Sequence, residues 1–182
     1  VEECRCLLTG VKQYLSGADL VLGCGSVPSP AANHLYADLL DLCAAAGVTC
    51  WIDSYGPAMA AALGSETAPA LVKPNRKEYQ GAATALWDRA GELHISDGAG
   101  IIEVRSRGRR WQVTPPSVTQ INPVGSGDCY FAALAHARLA GQGFEASLAY
   151  AAAAGAVNAA KYEVAKITPS EIAALASEVK LQ

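Results

Sequence analysis

Short apolar runs alternate with segments of helical spacing along the first half of the chain. Ala18 to Cys24 form an apolar run between glycines, which predicts a buried strand. In the next segment, Pro30 to Gly47, leucines recur at the spacing of one helix face, and Gly47 is a helix stop. Val48 to Ile52 is a second β-rich run, which ends in Asp53-Ser54. The pattern predicts a strand, a helix and a second strand.

The same pattern then repeats with shorter elements. Ala58 to Leu63 predicts a short helix, and Ala70 to Lys73 predicts a strand that Pro74 closes. Strands that alternate with helices are joined by right-handed crossovers, which place helices on both faces of a parallel sheet. The first half therefore indicates an α/β architecture.

The second half begins with three strand-like runs around turns that contain glycine, which predict a small antiparallel edge. These runs are Glu92 to Ser96, Ile101 to Arg105 and Arg109 to Val113. Three helical stretches follow, and they are Gly127 to Ala140, Phe144 to Ala160 and Pro169 to Val179.

The last of these helices carries a clear start signal. Thr168 is its predicted N-cap, Pro169 takes the first helical position, and Glu171 completes a capping box. We see no repeat and no linker. The expected fold is a single α/β domain over residues 1–182, with a mostly parallel sheet, helices on both faces and a small antiparallel edge.

The composition narrows the classes of function. Of the 182 residues, 51% are hydrophobic and 17% are charged, which is typical of a compact core and excludes a disordered chain. The formal net charge is -3 without a basic stripe, so neither nucleic acid nor a membrane is an expected partner. No apolar stretch has the length of a bilayer span, the acidic N-terminus is unlike a signal peptide, and the six cysteines lack CxxC spacing. We expect a cytoplasmic protein with reduced thiols.

One segment combines a phosphate-binding pattern with an acid. Gly125-Ser126-Gly127 leads directly into a predicted helix, so the unpaired backbone N–H groups at the helix start are placed to bind an anion. Asp128 follows in the first turn. An anion cradle beside a carboxylate suits transfer of a phosphoryl group to a hydroxyl whose proton the carboxylate accepts. The alternative is that Asp128 only caps a helix with a glycine-rich entry.

Other signatures of nucleotide binding and catalysis are absent from the sequence. There is no GxxxxGK[ST] loop, and Gly23-Cys24-Gly25 lacks the third glycine of a dinucleotide fingerprint. A Rossmann dehydrogenase is therefore disfavoured. There is no GxSxG motif for a triad hydrolase, and the scattered histidines are expected to be structural or exposed. They are His34, His94 and His136.

Four segments, in order along nearly the whole chain, resemble the PfkB/ribokinase family of carbohydrate kinases. Asn122 to Asp128 is similar to the family's GAGD signature, and Val72 to Glu78 matches its KPNxxE segment. Leu22 to Pro28 resembles the SGSLPPG stretch, and Ile95 to Gly100 resembles the SLGxxG nucleotide loop with one residue deleted. The pattern is most similar to the branch that contains 1-phosphofructokinase and tagatose-6-phosphate kinase.

The resemblance implies an ATP- and Mg²⁺-dependent kinase that acts on a sugar or sugar phosphate. It implies that Asp128 is the catalytic base and that the backbone of Gly125, Ser126 and Gly127 forms the anion hole. The remaining implied roles are Mg²⁺ organisation by Asn75 and Glu78, nucleotide binding by Ser96, Gly98, Gly100 and Asn158, and contact with the substrate phosphate by Ser26.

Alternatives stay open at two levels. Asn75 and Glu78 have the spacing of a helix N-cap and its third residue, so they also fit a simple helix start after Pro74. At the level of function, a non-catalytic nucleotide-binding or regulatory domain and a ribose or nucleoside kinase compete with the sugar-phosphate kinase.

Three departures from the family pattern bear on activity. Ser126 replaces the usual Ala of GAGD, and the stretch Tyr79 to Leu93 has room for one helix fewer than usual. The chain also begins at Val1, where the second half of a family member would begin. The sequence is therefore interpreted as the C-terminal nucleotide-binding portion, without the sugar-binding and lid portion through which a homodimer would form. Alone, it is expected to bind nucleotide weakly and to phosphorylate sugar poorly.

Overall fold

Strands and helices alternate through the first half of the protein, as the apolar pattern predicts. A computed structural model describes residues 2–81 and 84–182. Its contacts divide the chain into two units, Val1–His94 and Ile95–Gln182. The organisation as a single domain stays a prediction.

The first unit is built from four strands and four α-helices. In chain order they are α1 (Glu2–Lys12), β1 (Leu20–Cys24), α2 (Leu35–Ala45), β2 (Thr49–Asp53), α3 (Gly56–Gly64), β3 (Leu71–Val72), α4 (Arg76–Gly81) and β4 (Glu92–Ile95). Short 3₁₀ turns lie at Leu15–Gly17, Pro30–Ala32 and Thr84–Arg89.

The strands of this unit pair in parallel and in chain order. The register of β1 on β2 runs from Leu20 opposite Thr49 to Cys24 opposite Asp53. β3 continues beside β2, and Val72 pairs with Leu93 of β4. The ends of β1, β2 and β3 therefore lie at one edge, where the loops that carry the KPNxxE and SGSLPPG-like residues leave the strands.

Close packing explains one glycine inside β1. A Cβ on Gly23 would lie 2.8 Å from Cδ1 of Ile52 and 3.0 Å from the ring of Tyr36. Both of these neighbours are buried. Any larger side chain at position 23 would push β1 away from this packed surface.

The second unit contains three strands and three long helices. They are β5 (Ile102–Ser106), β6 (Arg109–Thr114), α5 (Ser126–Leu139), α6 (Phe144–Ala159), α7 (Pro169–Ala176) and β7 (Lys180–Leu181). β5 and β6 form the predicted antiparallel hairpin, and β7 pairs antiparallel with the end of β6.

The helices of the second unit pack through small side chains. α6 buries an alanine-rich surface, and a Cβ on Gly155 would lie 3.2 Å from the backbone oxygen of Ser126 at the start of α5. α7 adds Ile172 to a cluster with Ala133 of α5 and Ala153 of α6. Small residues let the helix backbones approach closely, which fixes the position of the loop before α5 relative to α6.

The capping box predicted for α7 is confirmed. The hydroxyl of Thr168 accepts from the backbone N–H of Glu171, and the Glu171 carboxylate accepts from the N–H of Thr168. The helix ends at Ala176, earlier than the predicted Val179, because Ser177 caps it and β7 follows.

The cysteines and histidines agree with the sequence analysis in most respects. All six cysteines are free thiols, although Cys6 and Cys24 are exposed. Burial raises the pKa of the thiols of Cys43 and Cys50, so these groups are poor nucleophiles. His94 is buried with Nε2 2.5 Å from Oε1 of Glu92, whereas His34 and His136 are exposed.

Two sequence features fall partly outside the described residues. These are the acidic N-terminal residue run, which includes Val1, and the short stretch Tyr79 to Leu93, which includes residues 82 and 83. Where that stretch is described, Trp87 is buried and its Nε1 donates to the backbone oxygen of Tyr79. Among the helices of residues 2–81 and 84–182, none has the length and apolar character needed to cross a bilayer.

Candidate functional site

The glycine turn before α5 has the geometry of a helix N-terminus that is open to an anion. Gly125 is the N-cap with φ 78°, and the N–H of Ser126 donates to the carbonyl of Pro123 at 3.1 Å. The N–H of Cys129 returns to the carbonyl of Gly125 at 2.9 Å, which starts the helical bonding. The backbone N–H groups of Gly127 and Asp128 lie in this first turn, where helical geometry offers no carbonyl partner. Asp128 is exposed beside them.

Position 125 accepts only glycine. Its positive φ is costly for any residue with a Cβ, and a Cβ built there would lie 2.6 Å from Cγ1 of Val164. The loop after α6 therefore presses directly on the turn. The sequence motif indicated a need for glycine, but not this contact.

Asn122 links the residues that precede the glycine turn to the residues at the end of α6. Its Oδ1 accepts from the N–H of Val124 at 3.1 Å, and its Nδ2 donates to the carbonyl of Tyr162 at 3.1 Å. The backbone N–H groups of Ile121 and Asn122 both donate to the carbonyl of Ala159. These bonds hold the turn against one helix end.

Asn158 lies beneath the same turn and is completely buried. Its Nδ2 donates to the carbonyl of Val124 at 2.8 Å and to Oγ of Ser126 at 2.9 Å. Its Oδ1 accepts from the N–H of Ala165 at 2.7 Å. The side chain thus faces protein groups on both sides. The nucleotide contact that the family resemblance implies for Asn158 stays a prediction, and direct contact would require some of these bonds to break.

An open pocket of about 370 Å³ lies along the Asp128 side of α5. Asp128 and His136 line one wall, and Ile167 and Ile172 line the wall formed by the loop before α7 and by α7 itself. Burial, with the nearby charge of Asp128, raises the pKa of the Cys129 thiol in this wall, which leaves it a poor nucleophile. The carboxylate of Asp128 is the basic group of the pocket that suits proton transfer from a hydroxyl. Sequence analysis missed this pocket, because α7 forms part of it only through tertiary packing.

In the first unit, Asn75 and Glu78 form the helix start that was the alternative to a metal site. The N–H of Asn75 donates to Oε2 of Glu78 at 2.8 Å, and the N–H of Glu78 donates to Oδ1 of Asn75 at 3.0 Å. This reciprocal pair is a capping box at the start of α4. The organisation of Mg²⁺ by these residues stays a prediction, and no cluster of three or more His, Cys, Asp or Glu suited to a metal occurs among the described residues.

The oxygen chemistry of this pair still fits magnesium. Mg²⁺ keeps several waters and is held by few carboxylate oxygens, so a dense cluster of acids is not required. Glu78 is half-buried and Asn75 is exposed at the same helix start. A carboxylate has two oxygens, and one of them can cap the helix while the other faces a hydrated ion.

Ser26 follows β1 on the loop at the edge of the parallel strands. The hydroxyl of Tyr36 lies 2.8 Å from the carbonyl oxygens of both Cys24 and Gly25, and it anchors the loop from below. Burial raises the pKa of this phenol, so it remains a hydrogen-bond donor. Ser26 itself is exposed, and its contact with a substrate phosphate stays a prediction.

A buried ion pair lies at the same edge, and sequence analysis did not identify it. Nζ of Lys73, which follows β3, is 2.8 Å from Oδ2 of Asp53 at the end of β2. Both side chains are largely buried, and the register of β2 and β3 brings them together. The pair fixes the residue that precedes Pro74 and Asn75, since a buried cation held by a carboxylate has little freedom to move.

The SLGxxG-like segment forms a tight turn in the second unit. The N–H of Gly100 donates to the carbonyl of Asp97 at 2.7 Å, and Gly98 has φ 56°. A Cβ at position 100 would lie 2.9 Å from the carbonyl oxygen of Asp97, so both glycines are needed for this turn. Ser96 is half-buried just before it. The roles of Ser96, Gly98 and Gly100 in nucleotide binding stay predictions.

Solved structures share the fold of this chain. Phosphofructokinase-2 from Escherichia coli, solved in complex with potassium, superposes with a TM-score of 0.84 at 24% identity, covering 97% of this chain and 62% of that chain. A possible 1-phosphofructokinase from Thermotoga maritima gives a TM-score of 0.84 at 17% identity, covering 98% and 61%. The fold is that of the ribokinase-like kinases, as expected from the sequence.

The family follows from the sequence comparisons. The family model described as pfkB family carbohydrate kinase matches residues 7–171. 1-Phosphofructokinase from Escherichia coli (strain K12) is 29% identical over 96% of this chain and 60% of its own length. Tagatose-6-phosphate kinase from Staphylococcus epidermidis is 24% identical over 90% of this chain and 58% of its own length. The chain belongs to the pfkB family of carbohydrate kinases, and it spans about three fifths of the length of these relatives.

Proposed function

We propose that this chain carries the phosphoryl-transfer site of an ATP-dependent kinase that acts on a hydroxyl of a sugar phosphate. The observation that carries the proposal is the start of α5. There the glycine turn, the open N–H groups of the first helical turn and the Asp128 carboxylate lie within four consecutive residues. An anion-binding turn next to a base is what this reaction needs, because phosphoryl transfer depends on positioning and on charge stabilisation.

The glycine turn and Asp128 have different tasks in this proposal. The backbone turn of Gly125, Ser126 and Gly127 forms the anion hole. Because the N–H of Ser126 donates to Pro123 within the turn, the phosphoryl oxygens are bound by the N–H groups that follow it in the first turn of α5, and the positive end of the α5 dipole adds to the attraction. Asp128 accepts the proton of the attacking hydroxyl, and the pocket beside it holds the acceptor. Ile167 and Ile172 give this pocket an apolar wall opposite the carboxylate.

The cofactors of the proposal are ATP and Mg²⁺. Asn75 and Glu78 would hold the metal through its waters, as their oxygen donors allow. Magnesium neutralises charge on the nucleotide phosphates when it is bound. Ser96, Gly98 and Gly100 are proposed to bind the nucleotide, and Asn158 to support the glycine turn beside it. Ser26 is proposed to meet the phosphate of the sugar.

The names of the relatives guide the choice of acceptor. They are 1-phosphofructokinase and tagatose-6-phosphate kinase, and one phosphofructokinase-2 structure contains fructose-6-phosphate. A phosphorylated hexose is therefore the proposed substrate class. The choice of hydroxyl is decided by measuring ATP-dependent phosphorylation of fructose 1-phosphate, fructose 6-phosphate and tagatose 6-phosphate, with ribose and a nucleoside as competing acceptors.

Replacement of Asp128 by Asn tests the mechanism. We expect turnover to fall by orders of magnitude, while the affinity for MgADP in calorimetry changes little, because the exposed amide replaces the base without altering the turn. Glu145→Gln is the matched control, since Glu145 is also an exposed acid in the first turn of a helix, α6. Its turnover should equal that of the unmodified protein.

Two results would replace the proposal. Turnover that survives in Asp128→Asn would show that Asp128 only caps α5. Binding of MgADP with no turnover on any acceptor, not even at the slow rate expected of this chain, would favour the second candidate, a nucleotide-binding or regulatory domain with the same fold. The presence of a carboxylate at Asp128 argues against a non-catalytic domain, because such a domain needs no base.

A further inference from the structure

The most constrained polar side chain of the second unit lies beneath the proposed anion hole. Asn158 is completely buried near the end of α6, and its amide makes three hydrogen bonds to two different segments. Its donors reach the carbonyl of Val124 and the hydroxyl of Ser126 at 2.8 and 2.9 Å. Its acceptor takes the N–H of Ala165 at 2.7 Å. One amide therefore joins the turn before α5 to the loop after α6.

Both of the joined segments contain a residue with positive φ, and at Ala165 this conformation is costly. Ala165 has φ 58°, a left-handed conformation that costs an alanine about 1 kcal/mol or more. Gly125 has φ 78°, and the side chain of Val164 fills the space that a Cβ would need there. A residue in such a conformation persists only where its surroundings determine it. The bond from Ala165 to Asn158 is one such determinant.

Only an asparagine satisfies all three partners. A carboxylate in its place would still accept from the N–H of Ala165, but its second oxygen would face the carbonyl oxygen of Val124. Two acceptors in contact repel each other, and the carbonyl of Val124 loses its donor. Alanine would leave the carbonyl of Val124, the hydroxyl of Ser126 and the N–H of Ala165 without this partner.

We propose that Asn158 is a positioning residue, which holds the glycine turn at Val124 to Ser126 in the geometry that binds the transferring phosphoryl group, rather than a ligand of the nucleotide. The proposal rests on the proposed function for its chemistry. Its structural part, the tie between the turn and the loop after α6, stands on the hydrogen bonds alone. Misplaced N–H donors lose most in the transition state, because their stabilisation depends on preorganised geometry.

The test uses Asn158→Asp, which keeps the size of the side chain. Calorimetry measures the affinity for MgADP with and without aluminium fluoride, which mimics the phosphoryl group in the transition state of transfer. For the unmodified protein we expect aluminium fluoride to tighten MgADP binding. In Asn158→Asp we expect MgADP affinity to change by less than about threefold, and the tightening to fall by about tenfold or more.

Ser147→Ala is the matched control. Ser147 is also a completely buried polar residue of α6, and its hydroxyl is bonded to Arg138 and to the carbonyl of Phe144, away from the turn. Its loss should lower the melting temperature but leave the aluminium fluoride effect unchanged. Equal loss of tightening in Asn158→Asp and Ser147→Ala would overturn the positioning role, because the effect would then follow stability alone.

Hydrogen–deuterium exchange tests the structural role of Asn158 independently of the proposed kinase reaction. Asn158→Asp should speed exchange at the N–H groups of Ser126 and Cys129, whose hydrogen bonds belong to the turn, and Ser147→Ala should not. Unchanged exchange at these groups overturns the proposal whatever the protein binds. Faster exchange, with no tightening even in the unmodified protein, supports the tie and overturns the proposed kinase chemistry instead.

Discussion

At the scale of single residues, two glycines of the second unit differ in what would happen if a Cβ were added. The comparison distinguishes the cost of a positive φ from the cost of steric crowding. Gly125 and Gly141 have nearly the same backbone conformation, with φ 78° and 76°. A Cβ on Gly141 would meet nothing within 4 Å, whereas a Cβ on Gly125 would lie 2.6 Å from Cγ1 of Val164. A residue with a Cβ would therefore be strained at both positions, but of these two positions it would be crowded only at position 125.

Alanine at each position should therefore have a different cost. We expect Gly141→Ala to lower the free energy of unfolding by about 1 kcal/mol, and Gly125→Ala to lower it by about 2 to 4 kcal/mol, as measured by urea denaturation. Val164→Ala in the Gly125→Ala background should recover the crowding part, since the Cβ of Val164 lies 4.0 Å away. Equal costs for the two single substitutions would show that Val164 does not press on the turn.

These residues also mark what the sequence can predict. The glycine-rich turn and Asp128 are local, so their place at the start of α5 follows from neighbouring residues. The contacts of Val164 and Asn158 with that turn join segments far apart in sequence, and no local pattern reports them. The same limit applies to the Lys73 and Asp53 pair, which depends on strand register.

At the scale of elements, the clearest local signals gave the clearest helices and strands. The alternation of apolar runs predicted β1, β2 and the β5–β6 hairpin, and the capping box predicted the start of α7. α1 was not predicted, and none of its residues is buried. β7 was missed because a strand of two residues shows no alternation.

The capping box of α7 makes this helix sensitive to substitution and to pH. We expect Thr168→Ala to lower the free energy of unfolding by about 1 kcal/mol, because the N–H of Glu171 loses its partner. Hydrogen bonds from Lys161 and Thr168 hold the pKa of Glu171 below its ordinary value of 4.5. A depressed pKa means that the carboxylate stabilises the fold above pH 4.5 and that this contribution is lost as the pH falls through the lowered value.

Glu171→Gln isolates the pH-dependent part. This variant should lose stability near neutral pH and show a smaller further loss on acidification than the unmodified protein. Thermal denaturation between about pH 3 and pH 7, a range that spans the ordinary carboxyl pKa values, follows both effects. Parallel pH profiles for the two proteins would show that other carboxylates control the acid response.

At the scale of the whole molecule, the share of its relatives' length that the chain spans determines how much kinase activity we expect. The chain spans 60% of the length of the 1-phosphofructokinase that it matches. The family resemblance assigns most sugar contacts and the lid to the remaining portion. Phosphoryl transfer needs the hydroxyl to be held in line and water to be excluded, so a site without those contacts should work slowly.

We accordingly expect sugar-phosphate-dependent ATP turnover by the 182-residue chain to be far below about 1 s⁻¹, the lower end of ordinary kinase rates. Product formation with radiolabelled ATP at saturating acceptor measures it, with Asp128→Asn as the blank. Turnover at ordinary kinase rates would mean that the second unit and the residues of the parallel strands suffice to hold the acceptor.

The hydrogen bond between Asn158 and Ser126 makes the side chains at these two positions depend on each other. The usual family pattern has Ala where this chain has Ser126, and an alanine offers no hydroxyl to an amide beneath it. A change at either position therefore alters the value of the residue at the other.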